Sequence, residues 1–378
     1  MTKAIIHLDR FMSNFYAVKA RIGECRICVP VKADAYGHGV NQIAKTSLEA
    51  GAYCLGAATV SEGIDLRKAG ITAPILLFSQ PHYKEIPEII DSGLIPFVSD
   101  ESFASLLNRE AESRKVKLLV HIKIDTGMGR IGCPVETALY LARYIVSCPG
   151  LELAGTATHF AVADSADEWD IFYTQMQLSR FKEAVEQIKS AGINPGIVHA
   201  ANSGAVILHP DTWLDMVRPG ILLYGYKTVN EDDTPLLHRE TLSGYEPVQA
   251  QPVMELKTIV SLVKKIKKGD SVSYGRTWTA LQDTFIAVLP LGYADGFPRL
   301  ASNQWQVTIN NKTYPLIGRI CMDQCIVNLG PETDVQRWEE ATVIGGFCDA
   351  ALLAEAVGTI PYEITCNIGN RVIREYRG

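Results

Sequence analysis

The sequence predicts an α/β protein with an N-terminal (β/α)8 TIM-type barrel over residues 1–235 and a mostly antiparallel C-terminal β-domain over residues 236–378. From about Ala20 to Gly225, short apolar runs alternate with helical stretches, which is the pattern of strand–helix units around a parallel sheet. Beyond Gln251, short β-rich runs follow one another closely, as in antiparallel sheets. A chain of 378 residues is also too long for one ordinary core, which favours two domains.

The first part contains eight candidate strands. They cover residues 27–31, 53–57, 75–78, 95–98, 117–124, 153–158, 197–200 and 215–218. Candidate helices cover residues 40–50, 102–113, 136–147 and 173–191. Eight strands that alternate with helices within about two hundred residues predict a closed barrel with the helices as its outer ring.

A polar, acidic and proline-bearing stretch at residues 227–251 predicts an exposed linker between the two parts. After it, the candidate strands cover residues 253–263, 284–289, 306–309, 325–329 and 341–344. Turn residues such as Asn310 and Asn311 separate these runs, so the second part is predicted to be a β-domain.

Composition and charge indicate a cytoplasmic protein whose partner is a small molecule. The net charge of −6 and the pI near 5.8 argue against nucleic acid or an anionic membrane as the main partner. The chain starts without a signal-peptide pattern, and no uncharged apolar run approaches the ~18 residues of a membrane span. Nine cysteines without regular spacing favour reduced thiols. Two short cysteine spacings, Cys25 to Cys28 and Cys321 to Cys325, lie in or beside apolar runs, so no metal site is predicted.

The most informative stretch is VKADAYGHG, from Val31 to Gly39. A buried strand that delivers Lys32 at its carboxyl end places an amine where desolvation lowers its pKa, which is the condition that a Schiff-base lysine needs. Gly37 and Gly39 relax the backbone beside it. A lone lysine at a strand end is usually a solvated surface residue, so the hypothesis depends on the whole string.

Other polar residues also follow predicted strand ends, where the active sites of (β/α)8 barrels lie. They are Asp125 to Arg130 after the fifth strand, His159 after the sixth, His199 and Ser203 after the seventh, and Arg218, Gly220 and Ile221 after the eighth. The loops after the last two strands often bind phosphate. Local sequence alone leaves structural alternatives open: a satisfied core histidine at His159 or His199, an ion-pair partner at Arg218, a turn residue at Tyr274 and core filler at Met322.

Nine strings, taken together and in order, resemble alanine racemases over essentially the whole chain. They are VKADAYGHG at Val31, KIDTGMGRIG at Lys123, THFA at Thr158, HAANSGA at His199, RPGILLYG at Arg218, VSYGRTW at Val272, LGYADG at Leu291, GRICMDQ at Gly318 and PYEI at Pro361. The resemblance implies a barrel plus a β-domain, the cofactor pyridoxal 5'-phosphate, and a homodimer in which each site is completed by the partner's second domain.

The resemblance also implies a role for each matching residue. Lys32 resembles the lysine that binds the cofactor, and Tyr274 the opposing tyrosine of the other subunit's site. Arg218 matches the arginine at the pyridine nitrogen, and the phosphate set comprises Tyr36, Ser203, Gly220, Ile221 and Tyr362. His159 and Arg218 are the candidates for stabilising a tyrosine anion. Arg130, Met322 and Asp323 match substrate-side residues, Tyr293 matches a tyrosine that narrows the access channel, and Lys123 matches a lysine that can be carbamylated.

The implied reaction is the two-base interconversion of L-alanine and D-alanine, which supplies D-alanine for peptidoglycan. A racemase for serine or for a broader set of amino acids is an alternative, because one methylene changes discrimination by only ~1–3 kcal/mol. A non-catalytic pyridoxal-phosphate carrier would lack the β-domain and the opposing tyrosine. A barrel aldolase with a Schiff-base lysine would leave the matches after Ala250 unexplained.

Overall fold

The computed structural model describes residues 2–229, 233, 235–245 and 247–378. It confirms the predicted class, with a closed eight-stranded parallel barrel and a mostly antiparallel second sheet. Part of the predicted linker, residues 230–232, 234 and 246, lies outside the described residues. The division of the chain at residue 235 stays a prediction.

All eight predicted barrel strands are present. Their bounds are Arg26–Pro30, Cys54–Ala57, Ile75–Leu77, Ile95–Val98, Leu118–Asp125, Leu151–Ala157, Ile197–His199 and Met216–Val217. Each pairs in parallel with its neighbours, and the eighth strand returns to the first, so the ring closes. A further short strand, Cys133–Pro134, pairs with the fifth. The strands read as nearly continuous apolar runs because both faces of a barrel sheet are covered.

Helices cover the outside of the barrel and one side of the second domain. Their bounds are Leu8–Ile22, Val40–Glu49, Val60–Lys68, Ile86–Asp91, Glu101–Ser113, Ala138–Ser147, Glu168–Ser190, Ser203–Leu208, Leu236–Leu242, Ala350–Val357 and Pro361–Cys366. The longest begins five residues before the predicted residue 173, because Asp167 accepts a hydrogen bond from the N–H of Trp169 and caps it there. None of the helices in the described part of the chain is long and apolar enough to cross a membrane.

The second sheet has nine strands. In sheet order they are Leu262–Ile266, Thr284–Leu289, Cys325–Gly330, Lys312–Ile317, Gln306–Ile309, Glu340–Ile344, Met254–Ile259, Lys3–His7 and Ile373–Arg377. A separate pair joins Ser271–Val272 to Trp278–Thr279. Along Met254–Ile259 every second residue is buried, which is the pattern of a sheet with one face on the core.

The first strand of the chain, Lys3–His7, lies in this second sheet and not in the barrel. It pairs antiparallel with Met254–Ile259 and parallel with Ile373–Arg377. Both chain ends therefore meet in the second sheet. The sequence did not indicate this, because five residues with no strand nearby along the chain give no local pairing signal.

Candidate active site

A cavity of about 380 Å³ opens where the barrel strands end. Nine of the predicted site residues line it: Lys32, Tyr36, Lys123, Arg130, His159, Ser203, Arg218, Gly220 and Tyr362. Four of these are basic, and no acidic side chain is found among the described residues that line the cavity. An excess of positive charge in a concave site favours an anionic ligand.

Lys32 follows the first barrel strand and is half-buried. Burial and the nearby Arg130 guanidinium lower the pKa of the Lys32 amine, while Glu62 opposes the shift. Each of the first two causes disfavours the charged ammonium. A larger fraction of Lys32 is therefore the neutral amine, which is the form that attacks a carbonyl carbon.

The backbone after Lys32 makes a left-handed turn. The four residues from Ala33 to Tyr36 have φ between 52° and 55°. The turn is tied down by Glu62, whose carboxylate accepts from the N–H of Ala33 at 2.7 Å and from that of Ala58 at 2.7 Å. The same Glu62 forms a capping box with Thr59 at the start of Val60–Lys68. The Glu62 carboxylate thus fixes both the start of helix Val60–Lys68 and the turn that follows Lys32.

This turn directs Tyr36 into the cavity. Its ring stacks on Tyr224 at 4.7 Å between centroids and contacts Tyr362 at 5.8 Å. Tyr224 is fully buried and donates its hydroxyl to the carbonyl of Pro30 at 2.8 Å, which anchors the stack to the first barrel strand. Burial raises the pKa of Tyr36, so its hydroxyl keeps its proton and can donate to an anion.

Ser203 and Gly220 form a small cradle beside Tyr36. Ser203 Oγ accepts from the N–H of Gly220 at 2.9 Å and from that of Leu222 at 3.3 Å. Because both lone pairs are occupied, the hydroxyl proton of Ser203 is left to donate. A side chain on Gly220 would not fit, since its Cβ would stand 2.6 Å from the Tyr36 hydroxyl. Ile221 is fully buried and does not line the cavity.

Arg218 lies in the barrel mouth, where backbone and side chains hold its guanidinium. Nη2 donates to the carbonyls of Thr158 at 2.8 Å and Ala200 at 2.9 Å. Nη1 lies 2.8 Å from His199 Nδ1, and Nη2 lies 3.4 Å from His159 Nδ1. Burial lowers the pKa of Arg218 to about 10, so it still carries its charge at neutral pH.

Burial disfavours the protonated forms of Lys123 and His159. Burial lowers the pKa of Lys123 well below its ordinary value, and the charges of Arg218 and Arg130 act in the same direction. Lys123 Nζ lies 5.4 Å from the centre of the Phe97 ring. Burial, followed by the charge of Lys123, likewise lowers the pKa of His159. His159 therefore acts on neighbouring groups as a neutral imidazole, not as a cation.

Four predicted residues, Tyr274, Tyr293, Met322 and Asp323, do not line the cavity. They lie in the second domain, and Tyr274 is 71% exposed. The N–H groups of Tyr293 and Ala294 donate to the carbonyls of Cys321 and Met322, at 3.1 and 3.0 Å, which joins two of the loops. Arg371 pairs with Asp323 at 2.8 Å. Ser273 Oγ lies 3.4 Å from Cys321 Sγ, so the turn that carries Tyr274 adjoins the same loop.

The turn that carries Tyr274 is tightly constrained. Its neighbours Ser273, Gly275 and Arg276 have φ of 62°, 73° and 48°. A Cβ on Gly275 would stand 2.7 Å from Arg319 Nη1, so the arginine packs against the bare backbone. Residues other than glycine pay a free-energy cost in this region, and such residues concentrate at functional sites, which makes the turn a candidate.

Three contributors to the site were missed by sequence reasoning: Glu62, His121 and Tyr224. His121 is the one with a usable signal, because it stands two residues before Lys123 in the same strand and so faces the same side. Glu62 and Tyr224 act through contacts between elements that are distant along the chain, for which sequence carries no local sign.

Comparisons with known proteins agree with this architecture. The family description "Alanine racemase, N-terminal domain" matches residues 6–228, and "Alanine racemase, C-terminal domain" matches residues 253–376. An alanine racemase of Treponema denticola is 48% identical over 381 residues, covering 99% of this chain and 97% of that protein.

Two solved structures are also similar over the full length. Alanine racemase from Bacillus anthracis with bound L-Ala-P superimposes with a TM-score of 0.88 at 32% identity, covering 100% of this chain and 95% of the other. The enzyme from Bartonella henselae with covalently bound pyridoxal phosphate gives 0.85 at 26% identity, covering 100% and 99%. The chain therefore belongs to the alanine racemase family of isomerases, which interconvert L-alanine and D-alanine.

Proposed function

We propose that this chain holds pyridoxal 5'-phosphate on Lys32 and racemises alanine with two bases, Lys32 and Tyr274. The observation that carries the proposal is the cavity itself: three further basic side chains, Lys123, Arg130 and Arg218, surround the half-buried Lys32, whose pKa is lowered. A covalently bound cofactor in the Bartonella henselae structure and L-Ala-P in the Bacillus anthracis structure support it.

The residues around the cavity fit the phosphate of this cofactor. Tyr36 and Ser203 each have a hydroxyl proton to donate, and Tyr362 adds a third hydroxyl to the lining of the cavity. Gly220 permits close approach of a phosphate because it has no side chain. A Cβ there would stand 2.6 Å from the Tyr36 hydroxyl. The backbone of Ile221, in the same loop, completes the proposed phosphate set. Hydrogen bonds to a charged group are about twice as strong as neutral ones, so this set dominates cofactor retention.

When bound, the cofactor supplies a conjugated ring that takes up the electron pair released as the substrate Cα proton leaves. The chain's own residues place the bases. The Lys32 amine takes or returns the proton on one face of the substrate, and the Tyr274 hydroxyl does so on the other. Because Tyr274 does not line the cavity of its own chain, we propose that a second copy contributes it. The assembly is then a homodimer with shared active sites.

Arg218 and His159 are proposed to set the electrostatics. Arg218 only donates hydrogen bonds and stays protonated, so a pyridine nitrogen that it contacts stays unprotonated. The charge of Arg218 and the neutral imidazole of His159 stabilise the anion of the incoming tyrosine. Arg130, Met322 and Asp323 are proposed to contact substrate, with Tyr293 narrowing the access channel.

Lys123 is proposed to be carbamylated and to hold Arg130. A carbamate forms when a neutral amine adds carbon dioxide and releases a proton, and the strongly lowered pKa of Lys123 favours the neutral amine. The product carries a negative charge, which relieves the excess of positive charge in the cavity. An intact mass or electron density that shows an unmodified amine would remove this part of the proposal.

We also propose where the chain divides, where in the cell the protein lies and what its product supplies. We propose a division into a cofactor-binding barrel at residues 1–235 and, at residues 236–378, a domain that completes the partner's site. Nine cysteines without paired spacing support a cytoplasmic location, where thiols stay reduced. The product D-alanine is proposed to supply peptidoglycan synthesis.

The test is direct. Purified protein is incubated with L-alanine or L-serine, with and without added pyridoxal 5'-phosphate, and formation of the D-isomer is followed. We expect fast cofactor-dependent racemisation of alanine and slower turnover of serine. Tyr274→Phe should bind the cofactor normally and lose most of its proton removal from L-alanine. A protein that binds the cofactor without racemising either amino acid would favour the carrier alternative, and full activity of Tyr274→Phe would exclude that residue as a base.

A further inference from the structure

Behind Arg218, away from the cavity, two histidines form a hydrogen-bonded chain. His199 Nδ1 lies 2.8 Å from Arg218 Nη1, and His199 Nε2 lies 2.9 Å from His121 Nδ1. All three side chains are buried, with exposed fractions of 6% or less. His121 does not line the cavity, so it is a candidate to act through the other two.

The arginine determines where the protons in this chain lie. A guanidinium has donors only, so His199 Nδ1 must present its lone pair to Arg218. The proton of His199 is then on Nε2, which donates to His121 Nδ1. His121 in turn carries its own proton on Nε2. One tautomer of each ring is compatible with the distances, and both rings are neutral.

Burial agrees with this assignment. It lowers the pKa of His121 to about 3, and the charge of Arg218 adds to the shift. Burial and the Arg218 charge also lower the pKa of His199 well below its ordinary value. At neutral pH neither ring competes with Arg218 for the positive charge.

The barrel is built to accommodate the His121 ring. Gly155, on the neighbouring strand, leaves the necessary space, because a Cβ there would stand 2.4 Å from His121 Cε1. The register of the two strands shifts between Val120 and His121. The Phe97 ring lies 6.1 Å from His121 and 6.0 Å from His199, and so packs against both.

We propose that His121 is a positioning residue: by accepting a hydrogen bond from the Nε2–H of His199 it fixes the tautomer that presents a lone pair to Arg218, and so holds the guanidinium at the cavity. Without an acceptor at position 121, the Nε2–H of His199 would be buried without a partner. The other tautomer would aim an N–H at an N–H of Arg218. Either outcome loosens one of the contacts that orient Arg218.

The tautomer can be measured without cofactor or substrate. In apoprotein labelled with nitrogen-15 in histidine, we expect the His199 signals of a neutral ring protonated at Nε2, assigned with single-histidine variants. His121→Asn keeps an acceptor near the position of Nδ1 and should preserve the pattern. His121→Leu should lose it. A wild-type His199 protonated at Nδ1, or at both nitrogens, at neutral pH would overturn the proposal.

The effect on Arg218 is measured in the holoprotein, and this step depends on the proposed function. His121→Leu and Gly155→Ala should change the visible absorbance of bound pyridoxal 5'-phosphate and lower kcat for alanine about 10- to 100-fold, with KM within about twofold. His121→Asn should restore both properties. Wild-type absorbance and kcat in His121→Leu would overturn the positioning role. Failure of the wild-type protein to bind the cofactor would instead refute the proposed function and leave the tautomer result standing.

Discussion

At the scale of single residues, the site works by keeping bases neutral and acids protonated through burial. Lys32 and Lys123 lie among cations, so the pKa of each amine falls, while the pKa of the buried Tyr36 phenol rises. Each pKa shift disfavours the charged form of its group. The neutral amine is thereby favoured next to hydroxyl donors.

Tyr36→Phe tests the proposed phosphate contact. The ring stays stacked on Tyr224, and only the hydroxyl is lost. A hydrogen bond to a charged group contributes about 1.5–3 kcal/mol, so affinity for pyridoxal 5'-phosphate should fall roughly 10- to 100-fold. Equilibrium dialysis measures it. Tyr140→Phe removes an exposed hydroxyl that donates to Glu101 and should bind normally. Equal affinities for the two variants would contradict the role of Tyr36.

Acid stability tests the buried histidines. The pKa of His121 is about 3 in the folded protein, against an ordinary 6.5. Between these values the unfolded chain takes up a proton that the folded protein does not, so the free energy of unfolding falls as the pH falls. Lowering the pH from 6.5 to 5.0 should cost wild type roughly 1.5 kcal/mol more than His121→Asn, by urea unfolding at equal protein concentration. His82→Asn, at an exposed histidine, should lose as much free energy of unfolding as wild type over the same pH change. An equal loss in His121→Asn would refute this account.

Residues that follow strand ends could be predicted from the sequence. Residues that act on the site through other residues were missed. Lys32, His159 and Arg218 were predictable because barrels place function at the carboxyl ends of their strands. The part played by Glu62 was not, because its bond to the N–H of Ala33 depends on a left-handed turn that no propensity scale favours for alanine.

At the scale of elements, the turn after the first barrel strand is the piece on which the site depends. Gly37 ends it with φ of 81°, and its N–H donates to the carbonyl of Ala33 at 2.9 Å. The helix Pro361–Cys366 packs directly on Gly37, which is how Tyr362 from the far end of the chain reaches the cavity. A glycine is required twice over, for the backbone conformation and for the contact.

Gly37→Ala tests this contact against a matched control. Its Cβ would stand 2.0 Å from the carbonyl oxygen of Thr365, whereas Gly70, with φ of 86°, has nothing within 4 Å. Gly70→Ala should lose only the backbone term of about 1–2 kcal/mol. Gly37→Ala should lose more, by urea unfolding, and should also bind the cofactor more weakly because Tyr362 is displaced. Equal losses would show that helix 361–366 tolerates the displacement.

Elements with strong local patterns were predictable and those defined by distant partners were not. The eight barrel strands are apolar runs bounded by turn signals, and their predicted ends differ from the observed ones by at most two residues. Lys312–Ile317 was missed because Pro315 interrupts its pattern, although the preceding Asn310 and Asn311 were read correctly as a turn. Lys3–His7 was missed because its two partner strands lie about 250 and about 370 residues away along the chain.

At the scale of the whole molecule, one chain carries two separated groups of site residues. The barrel cavity holds Lys32 and the residues proposed to bind the cofactor, while the exposed residues Tyr274, Tyr293, Met322 and Asp323 lie in the second part of the chain. Tyr274 is 71% exposed and does not line the cavity of its own chain. Two copies related by a two-fold axis would give each cavity the residues that it lacks.

The most direct test of this shared site is complementation between two inactive variants, Lys32→Ala and Tyr274→Phe. They are co-expressed in equal amounts so that subunits mix. If each site takes its lysine from one chain and its tyrosine from the other, a mixed dimer has one intact site, and random pairing should restore about one quarter of wild-type racemase activity. If lysine and tyrosine come from the same chain, no intact site forms, and activity no higher than that of the separate variants would contradict the account.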